Sequence, residues 1–142
     1  LGEGERGPEN QPPHRQSEAL ARLLLDEGAR PNDGQALYNR MFRHGPGNRC
    51  LELLLSYGLK ASDRANWHPD DEGGVGMLDF LLEYAVKQGF ADRVALLLEN
   101  GADPNFAGFY EPKKTPYAHA LELGHKQIAA MLEEAGARAP EN

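Results

Sequence analysis

The chain is 142 residues long, 40% hydrophobic and 26% charged, the make-up of a globular protein with a single buried core. Its formal net charge of −7, from 22 acidic against 15 basic residues, argues against nucleic acid or an anionic membrane as the main partner. No apolar stretch approaches the roughly 20 residues that a membrane-spanning helix requires. The single cysteine, Cys50, excludes an internal disulfide framework and zinc sites built from several thiolates, and fits a reducing, cytoplasmic setting.

Residues 1–13 contain six glycines and prolines and, beyond Leu1, nothing apolar to bury. Ordering such backbone has no offsetting gain, so this stretch reads as a flexible tail. It includes Gly2-x-Gly4-x-x-Gly7, a literal dinucleotide fingerprint. No strand precedes it, no helix follows directly, and Glu3 and Glu5 repel a pyrophosphate, so no cofactor is expected there. Starting at Leu1 without a signal-like apolar run, the sequence reads as a fragment or a processed product.

Beyond the tail the chain repeats itself. A helix is expected over 17–27, and four segments align: LARLLLDEGARPN (20–32), CLELLLSYGLKAS (50–62), RVALLLENGADPN (93–105) and IAAMLEEAGARAP (128–140). Each carries a leucine-rich amphipathic stripe and then a glycine, at 28, 58, 101 and 136, suited to the left-handed residue that closes a helix. Pro31, Pro104 and Pro140 follow three or four residues later. Partner helices lie between these segments, at Ala36–Phe42, at Leu78–Lys87 ending on Gly89, and at Tyr117–Leu123, where Thr115-Pro116 supplies a cap and a proline at the first helical position. The glycines are 30, 43 and 35 residues apart, as expected of helix–turn–helix repeats of about 33 residues.

Thr115-Pro116-Tyr117-Ala118-His119-Ala120 through Gly124-His125, with Gly101-Ala102-Asp103-Pro104-Asn105, resembles the ankyrin repeat pattern. Gly28-Ala29-Arg30-Pro31-Asn32 and Gly136-Ala137 are near matches. The resemblance implies an all-α ankyrin-repeat solenoid over residues 14–138: a half-repeat (17–32), then repeats 33–62, 63–105 and 106–138, with 139–142 as a short tail. The degenerate first helices look most like bacterial members of the family. Two departures stand out: Tyr38, Glu83 and Ala118 occupy the family's histidine position, and the middle repeat carries about ten extra residues before its first helix.

In such a stack the leucine rows form the core, so Leu53–Leu55 are expected to pack between Leu23–Leu25 and Leu96–Leu98. Helix 17–27 has no partner helix before it. Leu20 and Leu24 are therefore expected to show an apolar edge, to be covered by an upstream segment of a longer parent chain.

The resemblance implies a non-catalytic module that binds a protein partner through loop tips and first-helix ends. Carried over residue by residue, that surface comprises Arg43 and His44, Lys87 and Gln88, and Glu122. The loop tips add Asn66, Trp67 and His68, then Phe109, Tyr110, Lys113 and Lys114. The insertion 64–76 holds the only tryptophan, a residue type enriched at binding hot spots, although the simpler use of Trp67 is to pack on Met77 or Phe80 and anchor the loop. Asp70, Asp71 and Glu72 lack the ligand spacing of a calcium loop. The five histidines show no zinc spacing, and His125 falls where the family braces its inter-helix turn. Cys50 has no readable His or carboxylate partner, so no catalytic thiol, metal or cofactor is expected. The alternative is a scaffold holding an enzyme or small-ligand site near the insertion.

Deleting residues 1–13 is expected to leave thermal stability almost unchanged. A loss of more than about 2 kcal/mol on denaturation would show that the tail caps the first helix.

Overall fold

The structure is a computed structural model that describes residues 17–33, 48–65, 74–108 and 114–139. The tail 1–13 and the expected helix at 36–42 lie outside the described residues. Six helices are described: α1 (Ser17–Asp26), α2 (Arg49–Ser56), α3 (Met77–Gln88), α4 (Ala91–Glu99), α5 (Pro116–Leu123) and α6 (Lys126–Glu134). Two short strands, β1 (Arg64–Ala65) and β2 (Val75–Gly76), pair antiparallel, with Arg64 opposite Gly76 and Ala65 opposite Val75. The described chain is thus mostly helical. It divides into two compact units, residues 1–59 and residues 60–142.

In the first unit α1 packs on α2. Ala21 and Leu25, one turn apart, are buried, as are Leu51, Leu53 and Leu54. The expectation that Leu23, Leu24 and Leu25 all enter the core is corrected: only Leu25 does. Leu23 and Leu24 are 56% and 37% exposed, and Leu20 is 38% exposed. Three consecutive helical residues spread over about 200° of the helix circumference, so one seam cannot take all of them. The expected apolar edge at Leu20 and Leu24 is present, and Leu23 widens it.

In the second unit two helix pairs, α3–α4 and α5–α6, pack side by side, α3 on α5 and α4 on α6. They are related by a shift of 35 residues that carries Gly89 onto Gly124 and Gly101 onto Gly136. The first helix of each pair ends in the same hydrogen bonds. Gly89 and Gly124 sit at φ +76° and +74°, and the N–H groups of Phe90 and His125 reach back to the carbonyls of Ala85 and Ala120, each at 2.9 Å. Phe90 (φ −83°, ψ 77°) and His125 (φ −81°, ψ 74°) then form inverse γ-turns, closed by Ala91 N–H to Gly89 O and Lys126 N–H to Gly124 O. Two residues therefore reverse the chain.

The second helices close alike in all four segments: Ala29, Leu59, Ala102 and Ala137 donate to the carbonyls of Leu24, Leu54, Leu97 and Leu132 at 2.9–3.0 Å. This is the bonding of a Schellman motif, with the preceding glycine in the left-handed region. At α5 the expected cap is present, with Ala118 N–H donating to Thr115 Oγ1 at 3.2 Å and Pro116 at the helix start.

The core of the second unit is built from fully buried Leu78, Leu82, Ala85, Val86, Val94, Leu97, Ala120 and Leu132. Its loops are tied together by Asn105, whose side-chain amide donates to Gly136 O at 3.0 Å and accepts from Arg138 N–H at 2.9 Å.

The loop reading of 64–76 is refined, because both its ends enter the ladder. Arg64 donates to Gly74 O, and Met77 N–H donates to Asp63 O at 3.0 Å. Gly74 is at φ +73°, and a Cβ there would meet Ala65 O at 2.8 Å, so this neck admits only glycine.

Leu97→Ala should cost about 2–5 kcal/mol in urea unfolding, because it leaves a cavity at a fully buried site. Leu123→Ala, at a 49% exposed position, should cost about 0.5 kcal/mol or less by the same measurement.

Candidate partner-binding surface

Of the twelve residues expected to meet a partner, Arg43, His44, Asn66, Trp67, His68, Phe109, Tyr110 and Lys113 lie outside the described residues. The other four are in the second unit. Lys87 and Gln88 form the last turn of α3, with Gln88 exposed. Lys114 precedes α5, and its ammonium pairs with the carboxylate of Glu122 near that helix's C-terminus, bringing two of the expected residues together. Their side chains are 26% and 62% exposed, so this pair contributes about 0–1 kcal/mol to stability. The 35-residue shift carries Lys87 onto Glu122, so the two packed helices end in opposite charges at equivalent positions.

Leu121 and Leu123, each 49% exposed, flank Glu122 on the same helix end. The sequence reading missed them because they continue an apolar run. The available signal was Gly124, which ends the helix before the leucines enter a seam. His125 sits as expected at the inter-helix turn, its ring against Gly89, where a Cβ would lie 3.2 Å from Cε1.

Buried charge was also missed. Glu83 is 1%, Arg93 2% and His119 2% exposed. Glu83 Oε1 lies 3.6 Å from His119 Nε2, while the Arg93 guanidinium lies 4.9 Å over the Phe90 ring. Tyr117 donates to Glu133, which raises the phenol's pKa, and Tyr57 in the first unit does the same with Asp26.

A separate cleft of about 370 Å³ in the first unit has Arg22, Arg49, Glu52, Leu53 and Ser56 among its described lining residues. Among the described residues no group of three or more His, Cys, Asp or Glu side chains is placed to hold a metal ion. None of the described helices is long and apolar enough to cross a membrane.

Asp79, in the first turn of α3, accepts from Asp103 N–H at 2.7 Å and so ties the helix start to the Gly-Ala-Asp-Pro-Asn loop. Burial raises its pKa above the ordinary 3.8, against the opposing effects of that hydrogen bond and the Arg64 charge. A raised carboxyl holds its proton more tightly in the folded state. Its contribution is fully present below the unfolded value and is lost as pH rises through the folded one. Asp79→Asn removes this loss, so the variant's urea midpoint should gain on the wild type as pH rises from about 3.5 to about 6. A gap that narrows over that range would contradict the assignment.

Comparison with known proteins agrees with the repeat geometry. Over 94 residues the chain is 33% identical to the histone-lysine N-methyltransferase EHMT1 of Mus musculus and, equally, of Homo sapiens. That match covers 66% of this chain and 6% of each relative. An "ankyrin repeat and KH domain-containing protein" of Caenorhabditis briggsae is 35% identical over 82 residues, 58% of this chain and 3% of that protein. The chain therefore spans only a small part of the curated relatives it matches. No family model matches, and no solved structure matches. The similarity supports an ankyrin-like repeat in this chain.

Proposed function

We propose that this chain is a non-catalytic protein-interaction module, an ankyrin-type solenoid of a half-repeat and three repeats over residues 14–138. The observation that carries the reading is the 35-residue recurrence of one helix–turn–helix geometry, with the same two glycine-closed ends in each copy. Similarity to a protein named for its ankyrin repeats supports it. A helix pair closed by a two-residue turn leaves its first-helix end and the following loop pointing away from the core, where side chains are free of packing duty. Gln88 and Glu122 are exposed at such helix ends, with Lys87 beside the first and Lys114 paired to the second, and the exposed Leu121 and Leu123 add apolar area to them. The reading requires no metal or cofactor. It includes cytoplasmic residence and an upstream segment of the parent protein over Leu20, Leu23 and Leu24.

In this reading the Trp67 loop and the Phe109-Tyr110 loop act on one face, because equivalent inter-repeat loops project in one direction. Aromatics bury large areas with few torsions to freeze, and the charge changes sign from Asp70-Asp71-Glu72 to Lys113-Lys114, which orients a partner. The test is a pull-down with the intact chain, followed by affinity and stability measurements on Trp67→Ala with the captured protein. Affinity should fall by about 2 kcal/mol or more with folding stability nearly unchanged. Lost stability with unchanged affinity would instead make Trp67 a packing residue and remove the loop from the binding face.

A further inference from the structure

The buried pair Glu83–His119 joins the two helix pairs of the second unit. We propose that it is a proton-operated clasp: tight when His119 is protonated, slack when the imidazole is neutral. Glu83 is on α3 and His119 on α5, so their contact crosses from one repeat to the next and does not stiffen either alone. The carboxylate occupies the position where the ankyrin pattern has a histidine, and a histidine reaches it from the following repeat instead. Nε2 and Oε1 are 3.6 Å apart, within ion-pair range but longer than a hydrogen bond, so the attraction rests on charge. With the side chains only 3% and 1% exposed, water and salt screen that attraction weakly. Imidazole is the side chain whose charge ordinarily changes between about pH 5 and about pH 8. Loss of its proton leaves the Glu83 charge in the interface with less compensation.

Several other titratable groups stand on the packed elements. On α3, Lys87 stands one turn beyond Glu83, Tyr84 is adjacent to it, and Asp79 holds Asp103 N–H. On α4, Arg93 lies on Phe90 and interacts with Tyr84. On α6, Glu133 accepts from Tyr117, and at the turn before it His125 lies against Gly89. A protonated His119 attracted to Glu83 binds its proton more tightly in the folded state. The clasp therefore stabilises the fold below the imidazole's titration and is lost as pH rises through it.

The test is a double-mutant cycle on the full chain, Glu83→Gln, His119→Gln and both together, by urea unfolding at about pH 5.5 and about pH 8. Groups shared by all four proteins, Asp79 and His125 included, cancel in the cycle. At the lower pH the two substitutions should be clearly non-additive, and the coupling should shrink several-fold at the higher pH. Additive effects at both values, or equal coupling at both, would overturn the proposal. Should a single variant fail to fold, nitrogen NMR of the wild-type imidazoles gives the answer: His119 charged at the lower pH and neutral at the higher supports the clasp. A ring neutral at both, or charged at both, overturns it. No partner enters either readout, so the proposal stands or falls separately from the interaction reading.

Discussion

The second unit depends on how its helices are closed. A helix ends with unsatisfied carbonyls, and a residue at positive φ folds the chain back so that its own N–H and that of the next residue reach them. With Gly89 and Gly124 in that role, one further residue in an inverse γ-turn is enough to start the returning helix. The turn is so short that it fixes which faces of the two helices meet. Its recurrence 35 residues later produces a second pair with the same faces, and two identical faces can stack.

Stacking then decides which side chains count as core. Val86 is fully buried, whereas Leu121, its equivalent in the next pair, is half exposed. The chemistry is nearly the same at both positions, so the difference lies in what surrounds them. The same logic applies to charge. Glu83 and His119 would each be unremarkable on a solvated helix face, but between two pairs they become a buried couple 3.6 Å apart. Loop contacts add directionality, since Asn105 satisfies a carbonyl and an amide of the loop one repeat further on.

The paired Lys114–Glu122, the helix-end Lys87 and Gln88 and the two exposed leucines lie at or beside the ends of α3 and α5. The relatives are animal proteins of which this chain spans only a small part.

Among the described residues, much of the local chemistry was legible in the sequence. The leucine periodicity gave the helices, the glycines gave their ends, and Thr115-Pro116 gave a cap, because each depends on neighbours within a few residues along the chain. The 35-residue recurrence, and with it the ankyrin-like pattern, followed from the same local signals. The burial of Leu25 without Leu23 or Leu24, the exposure of Leu121 and Leu123, the two-residue ladder at the neck of the insertion and the meeting of Glu83 with His119 were not legible. Each depends on segments distant in sequence arriving at one place. A side chain's fate there is set by which face of its helix the neighbour covers, and that is a property of packing in three dimensions, not of the residue or its flanks.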